Sequence, residues 1–248
     1  MRVACVTPYW DESDAVLRRC LDSVAKQTHE TVHYVVADGN PRGWLDAPGS
    51  RVRHLVLSSA HADDGNTPRG LGALLAAAEG AEAVTFLDAD NTYEPDHVAC
   101  CLATARAAER ADVVAARRRL VQLDGSPMTL VDEEFPRHLD TSCMFILRSG
   151  FQSLALWPLQ PKALSCICDR LVFAGMKRSG LRFAATTRPT VNYYTKYAVH
   201  YRSAGVPVPD HAKPTIDVSE LKRWWDLQPQ QEIDIVRRLT NLPDLSFG

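Results

Sequence analysis

The sequence lacks a long apolar run, since none approaches the roughly 20 residues that a helix needs to cross a bilayer. It also lacks an excess of basic charge: 28 Lys and Arg are balanced by 30 Asp and Glu, and the formal net charge is −2. Nucleic acid is therefore not expected as a partner. No secretory signal is expected either, because Met1 and Arg2 lead directly into a short strand-like segment. These absences predict a cytoplasmic protein.

Cysteines in metal-binding spacing are lacking as well. The seven cysteines are an odd number, and Cys166 and Cys168 form only a C-x-C pair. We expect reduced thiols that pack in the core. No internal repeat or low-complexity linker interrupts the 248 residues, a length that suits one large domain.

Strand and helix patterns alternate through the first half of the chain. This alternation is typical of a doubly wound, mostly parallel sheet with helices on both faces, so the predicted fold class is α/β. Strands are predicted at 2–7, 31–37, 52–57 and 84–87, and helices at about 13–27, up to about 80, and at 95–108.

The second half of the chain has a different pattern. Asp124 and Gly125 predict a hairpin turn between two short strands. A further strand, a helix and a late strand are predicted in "TSCMFILRSGF", "LSCICDRLVFAGMKRSG" and "LRFAAT". Amphipathic helical patterns follow Pro214 and Pro229. We therefore expect one α/β domain over residues 1–215 and a helical C-terminal extension over 216–248.

Polar side chains follow three of the predicted parallel strands, in Thr7 to Asp11, at Asp38, and at Asp88 with Asp90. Ligands of such sheets bind outside the carboxyl ends of the strands. Two carboxylates one residue apart repel each other, and Mg²⁺ or Mn²⁺ bridging to a diphosphate would relieve that repulsion. The alternative is a plain turn, for which Asp-Ala-Asp-Asn is also suitable.

The sequence around these acids resembles the family 2 glycosyltransferases over roughly the first hundred residues. The likeness lies in "VTPYWDES…LRRCLDSVAKQ…HYVVADGN…PRGLGALLAAAEGAEAVTFLDADNTYEPDHV". It implies the GT-A fold, a nucleotide-diphosphate sugar donor, a divalent metal and direct displacement with inversion. It also implies a nucleotide-binding half over about 1–110 and an acceptor half over about 111–215.

The resemblance assigns roles to residues of the first half. Ala37 stands where the family often has the first of two acids, so the resemblance does not determine which nucleobase the donor has. Arg69 is implied as a phosphate contact, the alternative being a solvated loop arginine. The remaining assignments are Thr7, Pro8 and Tyr9 to the nucleoside pocket, Asp38 to the base or ribose, Asp88 to the ribose and metal-bound groups, and Asp90 to the metal itself.

Inverting transfer needs a general base that takes the proton of the acceptor hydroxyl. By resemblance this base aligns with Asp169, although Cys168 stands where the family has an acid. The alternative for Asp169 is a surface ion pair with Arg170 or with a residue one turn away. Asp140 is the second candidate for the base.

The segment "YYTKYAVHYRSAG" resembles the late His-x-x-Ser loop of the family. The resemblance implies His200 as a further metal or diphosphate contact, with Ser203 in the same loop, and a structural histidine is the alternative. Lys196 and Arg202 carry positive charge that suits a diphosphate, and such loops often close over bound donor.

Trp224 and Trp225 lie beside Lys222 and Arg223 in the C-terminal extension. An amphipathic helix of this kind either docks peripherally on the inner face of a membrane, where lipid-linked acceptors reside, or packs on its own domain, or packs on a partner subunit of a homo-oligomer. We favour packing.

Three functions are compatible with these features. The first is metal-dependent transfer of a sugar, with UDP as the expected nucleotide, to a glycan or lipid-linked acceptor. The second is a sugar-phosphate nucleotidyltransferase, which would need a Gly-rich phosphate loop that "TPYWDESD" does not provide. The third is an inactive nucleotide-sugar-binding module, which would have no reason to keep clustered carboxylates.

Overall fold

Nine strands form one sheet in the computed structural model, which describes residues 1–47, 52–132 and 135–241 and only the backbone of 130–132. Its first four strands are parallel neighbours, because β1 pairs with β2 and β4, and β2 pairs with β3. All seven residues of β1 are buried. These strands are β1 (Val3–Tyr9), β2 (Thr31–Ala37), β3 (Val52–Val56) and β4 (Ala83–Phe86).

Three helices, α1 (Asp14–Ala25), α2 (Asn66–Ala78) and α3 (His97–Ala107), alternate with these strands as predicted. Ser13 is the N-cap of α1, and its hydroxyl accepts from the backbone N–H of Val16 at 3.4 Å. The strand and helix bounds agree with the sequence prediction to within a few residues.

The second half of the sheet is mixed rather than parallel. β8 runs antiparallel to both β4 and β6, whereas β6 and β9 are parallel. The predicted hairpin joins β6 and β7, and β9 is longer than the predicted late strand. The sheet order is β3-β2-β1-β4-β8-β6-β9-β5, and its further members are β5 (Thr92–Tyr93), β6 (Val113–Val121), β7 (Pro127–Asp132), β8 (Met144–Leu147) and β9 (Phe183–Tyr194).

Four more helices complete the described part of the chain. The predicted helix over "LSCICDRLVFAGMKRSG" begins as a 3₁₀ helix and becomes α4 only at Cys168. Within the described ranges, no helix is both long and apolar enough to cross a membrane. The helices are α4 (Cys168–Arg178), α5 (Ala198–Ala204), α6 (Val218–Asp226) and α7 (Gln230–Thr240).

The C-terminal helices pack on the chain's own domain. Trp225 is buried against Leu164, Ile167 and Leu171, and Trp224 packs at the edge of the same cluster. The expectation that the tryptophan pair packs inward is therefore confirmed for this chain. Residues 242–248 of the extension lie outside the described residues, and the boundary after 215 stays a prediction.

Five of the seven cysteines pack in the core as expected, whereas Cys100 is half-buried. All seven are free thiols, and Cys166 is the exposed one. Burial raises the pKa of the Cys20 thiol and that of Cys101 well above the usual range, so both stay protonated. The five buried cysteines are Cys5, Cys20, Cys101, Cys143 and Cys168.

Candidate functional site

The candidate site lies where β1, β2 and β4 end side by side. Because these strands are parallel neighbours, their carboxyl ends share one edge of the sheet. Asp88 and Asp90 follow β4 in a tight turn, in which the N–H of Asn91 donates to the carbonyl of Asp88 at 2.9 Å. The three predicted polar strand ends thus meet at this edge.

Asp88 is paired with Arg69 from α2. The Arg69 Nη2 donates to Asp88 Oδ1 at 2.7 Å, and its guanidinium lies 4.7 Å from the ring centroid of Trp157. The Arg69 side chain is 4% exposed, so it is not the solvated loop arginine of the alternative interpretation. Burial raises the pKa of Asp88 to about 6, and the charges of Asp140 and Asp90 add to that rise while Arg69 opposes it.

Asp90 is paired with Lys196, whose Nζ lies 2.7 Å from Asp90 Oδ2. Both side chains are partly exposed, Lys196 by 43% and Asp90 by 25%. Arg19 of α1 holds the backbone of this turn, since its Nη2 donates to the Asp90 carbonyl at 2.8 Å while its guanidinium stacks on Tyr194. Burial lowers the pKa of Lys196, but the charge of Asp90 more than offsets it, and the lysine stays an ammonium.

Asp140 is buried in an ion pair with Arg118, whose Nη1 donates to Asp140 Oδ2 at 2.6 Å. Its other oxygen, Oδ1, accepts from the N–H of Ser142 at 2.9 Å and caps a short 3₁₀ helix. Burial and the charge of Asp169 raise the pKa of Asp140 above its usual value, against the lowering by Arg118. Both oxygens are therefore engaged, which suits a structural acid better than a general base.

Asp169 lies in the first turn of α4 and remains 20% exposed. His138 Nε2 is 2.7 Å from its Oδ2, and the backbone N–H of Arg170 donates to its Oδ1 at 2.7 Å. Burial is the largest influence and raises the pKa of Asp169, but the hydrogen bond and charge of His138 and the Arg170 N–H outweigh it. The net pKa is lowered, so Asp169 is a carboxylate.

Thr7 and Tyr9, which were predicted for the nucleoside pocket, each have a side-chain hydroxyl within hydrogen-bonding distance of a histidine of the fold. Thr7 is fully buried, and its hydroxyl lies 2.8 Å from Nε2 of His33. Burial lowers the pKa of His33 to about 3, so this contact is between neutral groups. The Tyr9 hydroxyl lies 2.8 Å from Nε2 of His54. Their assignment to the nucleotide stays a prediction.

Asp38 and Pro8 shape the loop that precedes α2. Asp38 is buried, and its two carboxylate oxygens accept from the backbone N–H groups of His61 and Ala62 at 2.9 and 3.1 Å. Gly65 has φ of +81°, and a Cβ there would lie 3.0 Å from the Pro8 ring, so a side chain at this position would be both strained and crowded. Asp38 and Pro8, both predicted nucleotide contacts, therefore hold the loop that leads into α2, the helix on which Arg69 lies.

His200, Arg202 and Ser203 lie on the short helix α5 rather than on a loop. His200 Nδ1 is 2.6 Å from the Thr195 hydroxyl, and the ring of Tyr197 lies edge-on to the imidazole at 6.0 Å. The side chains of Arg202 and Ser203 are exposed. His200 is therefore oriented by Thr195 and Tyr197 in the segment before α5, and its assignment to a metal or diphosphate stays a prediction.

The chemistry of the two strand-end acids fits a hard divalent cation. Carboxylate oxygens are the ligands that Mg²⁺ and Mn²⁺ prefer, and Mg²⁺ is commonly held by one or two carboxylates plus substrate phosphates. Among the residues that the structure describes, no three His, Cys, Asp or Glu side chains are clustered to hold a metal ion by themselves. A metal at Asp88 and Asp90 would thus need oxygens of the donor to complete its coordination.

Sequence reasoning missed several side chains that organise this site. Ser142 is fully buried, and its hydroxyl accepts from the N–H of Asp88 and from Asn91 Nδ2, each at 3.2 Å. Arg19 and His138 were also missed. Of these three, only Ser142 had a local sequence signal, because it follows an Asp in a pattern typical of a helix cap. Arg19 has the pattern of an ordinary helix residue. His138 lies in a segment without hydrophobic periodicity.

The profile of the family described as "Glycosyl transferase family 2" matches residues 4–155, more than half of the chain. The match contains Arg69, Asp88, Asp90 and Asp140 and ends before Asp169. No curated protein sequence matches the chain at a significant level.

Solved structures of S. aureus TarS have a similar fold. TarS 1–349 in complex with UDP is 15% identical with a TM-score of 0.61, and the alignment covers 82% of this chain and 63% of that one. The complex with UDP-GlcNAc is 13% identical with a TM-score of 0.63, covering 97% and 72%. The chain spans 44% of the longer TarS structure. Its sheet and the similar solved structures show that it has the GT-A fold. Because the family profile matches more than half of its residues, the chain belongs to glycosyl transferase family 2, a family of glycosyltransferases.

Proposed function

We propose that this protein is a metal-dependent, inverting glycosyltransferase that moves a sugar from a UDP-linked donor to a hydroxyl of a glycan or lipid-linked acceptor. The observation that carries the proposal is the placement of Asp88 and Asp90 in the turn that follows β4, at the carboxyl edge of the parallel strands. Asp169, partly exposed and hydrogen-bonded to His138, is the candidate base. A metal-binding acid pair and a general base are the two groups that such a reaction needs. The similarity to TarS, which has been crystallised with UDP and UDP-GlcNAc, supports UDP as the nucleotide.

In the proposed reaction Asp169 is the general base. As the acceptor oxygen attacks the anomeric carbon, the Asp169 carboxylate takes the hydroxyl proton, and the bond from that carbon to the diphosphate oxygen breaks on the opposite face. His138 keeps Asp169 ionised before the reaction, because its hydrogen bond favours the charged form. The configuration at the anomeric carbon is thereby inverted.

Asp88 and Asp90 would hold the metal in the proposed site. When bound, the metal supplies positive charge to the departing diphosphate. Arg69 keeps Asp88 oriented through its 2.7 Å hydrogen bond, and Arg19 fixes the Asp90 backbone. The turn is thus already shaped when the donor arrives, which lowers the cost of binding.

The test is calorimetric titration of UDP into the protein with Mn²⁺ and then with excess chelator. The titration is repeated for Asp90→Ala and for Asp226→Ala, which removes an exposed aspartate from α6 as a matched control. We expect tight binding that needs both the metal and Asp90 and is unchanged in Asp226→Ala. UDP binding by wild type that is unchanged by chelator would contradict the metal site. Absence of UDP binding would contradict UDP as the nucleotide, and GDP and dTDP would then be titrated.

Product analysis then tests the reaction class. A glycosyltransferase releases nucleoside diphosphate, so UDP should accumulate with the UDP-sugar that supports turnover, and the product should have the opposite anomeric configuration. Release of pyrophosphate instead would identify a nucleotidyltransferase. Retention of configuration would contradict Asp169 as a general base.

A further inference from the structure

We propose that Lys196 is an exchangeable internal counter-ion of Asp90: it occupies the cation position in the ligand-free protein and moves to the diphosphate when metal and donor bind. This inference rests on the proposed function of the same site. Its basis is the 2.7 Å contact between Lys196 Nζ and Asp90 Oδ2. A metal ion bound at this oxygen would meet the like charge of the ammonium at close range, so the two cations compete for it.

The backbone of Lys196 is fixed on both sides. The N–H of Thr195 donates to the Val121 carbonyl at 3.0 Å, and the Lys196 carbonyl accepts from the N–H of Lys213 at 2.6 Å. The N–H of Tyr197 donates to the Thr195 hydroxyl at 3.1 Å. With its backbone held and its side chain 43% exposed, Lys196 can leave Asp90 by rotating its flexible four-carbon stem alone.

The neighbouring pair shows the opposite behaviour. Arg69 is 4% exposed, stacks on Trp157, and its Nη1 donates to the Asn66 side chain at 3.3 Å in addition to its bond with Asp88. A buried guanidinium with several partners cannot leave its carboxylate without a large desolvation cost. The acid pair thus has one permanent counter-ion, at Asp88, and one that can be exchanged, at Asp90.

Displacement of Lys196 links metal binding to donor binding. Once the metal takes its place, the ammonium has lost its anion, and a diphosphate at the same edge of the sheet supplies a new one. Metal alone must therefore compete with the lysine, whereas metal with UDP gains the lysine as a further contact. By linkage, each ligand raises the affinity of the other by the same factor, and Lys196 is the source of part of that factor.

The test measures Mn²⁺ binding without nucleotide, from the electron paramagnetic resonance signal of free Mn²⁺, for wild type, Lys196→Gln and Lys196→Arg. We expect Lys196→Gln to bind Mn²⁺ on the order of tenfold more tightly than wild type, because a competing charge in partial contact with water is removed. Lys196→Arg should stay near wild type, since it keeps the competing charge. Lys213→Gln, which removes an exposed lysine from the segment that pairs with residue 196, is the matched control and should change nothing.

Calorimetric titration of UDP in saturating Mn²⁺ gives the second readout. Lys196→Gln should bind UDP on the order of tenfold more weakly, so that the factor by which Mn²⁺ and UDP strengthen each other falls. Thermal unfolding confirms that each variant is folded. Unchanged or weaker Mn²⁺ binding by Lys196→Gln would overturn the counter-ion role, even with Asp90-dependent UDP binding intact in wild type. Failure of the proposed function is seen separately, in the wild-type and Asp90→Ala titrations.

Discussion

The predicted donor half, residues 1–110, and the predicted acceptor half, residues 111–215, each contain one acid whose partner is a buried arginine and one acid whose partner is more exposed. The deep pairs have a buried arginine as partner, and Ser142 contacts both acids: its N–H donates to the Asp140 carboxylate, and its hydroxyl accepts from the backbone N–H of Asp88. The open pairs have a lysine or a histidine as partner. The deep pairs are Asp88–Arg69 and Asp140–Arg118, and the open pairs are Asp90–Lys196 and Asp169–His138.

The two open pairs differ in where the partner comes from. His138 belongs to the same half as Asp169, whereas Lys196 reaches from the acceptor half to Asp90 in the donor half. Because His138 lowers the pKa of Asp169, the proposed base is a carboxylate before any ligand binds. The charge balance at Asp90 instead depends on Lys196 from the predicted acceptor half, so the proposed binding of metal and donor would depend on residues of both halves.

The largest effect should follow from loss of the acid in the open pair of the acceptor half. Asp169→Asn removes the proposed base but leaves an amide of the same size, so we expect turnover to fall by about 10²–10⁴-fold while UDP affinity is retained. The measurement is the rate of UDP release, with calorimetric UDP binding beside it. Asp140→Asn is the comparison: if it lowers turnover more than Asp169→Asn while UDP binding and folding are kept, the assignment of the base is wrong.

The deep pair of Asp140 with Arg118 should matter for stability more than for chemistry. Arg118→Met leaves the buried Asp140 without its ion-pair partner, and breaking a buried pair from one side costs about 3–5 kcal/mol of unfolding free energy. The double variant Arg118→Met with Asp140→Leu replaces both charges by apolar groups and should recover much of that loss. The measurement is urea unfolding of the two single variants and the double variant. Equal loss in the double variant would show that the pair contributes little through its charges.

Local sequence signals predicted most strands and helices of the first half and the position of its acid pair, although they missed Arg19. The apolar run of β2 and the helical pattern of α1 gave both elements nearly to the residue. Asp88 and Asp90 come directly after an apolar strand, and the parallel order of the sheet determines their position. The Ser13 cap was likewise readable, because capping is a local hydrogen bond.

The acceptor half was harder to predict because its site residues are brought together by packing between segments distant along the chain. His138 meets Asp169, 31 positions later. Lys196 meets Asp90 beside the antiparallel pairing of β9 with β5, where the N–H of Tyr194 donates to Asn91 Oδ1. No periodicity marks a residue whose partner is determined by tertiary contact. Asp140 was predicted only as the second candidate for the base, and its role as an N-cap is seen in the structure, where it accepts from the N–H of Ser142.

A moderate effect should follow from His138→Gln. Without the histidine, burial is left as the main influence and raises the pKa of Asp169, so the acidic limb of the pH–rate profile should move to higher pH. The turnover rate at neutral pH should fall by about tenfold or less, since Asp169 itself remains. The measurement is kcat/KM as a function of pH for wild type and variant. An acidic limb that stays in place would show that His138 positions the carboxylate without keeping it charged.

The smallest effect should come from Arg202, which shares the segment of Lys196 but lies exposed on α5. Exposed charges act through water and contribute about 1 kcal/mol or less, so Arg202→Gln should weaken UDP binding in Mn²⁺ by a few-fold at most. That small effect should vanish in high salt, because salt screens exposed charges while the contact of Lys196 with a bound diphosphate would persist. The measurement is UDP affinity at low and high salt for Arg202→Gln beside Lys196→Gln. The contrary outcome is that Arg202→Gln weakens UDP binding as much as Lys196→Gln does, in high salt as well as in low salt. In that case α5 must move until Arg202 contacts the diphosphate. The cation exchange at Asp90 would then be one part of a larger closure of the predicted acceptor half over the donor.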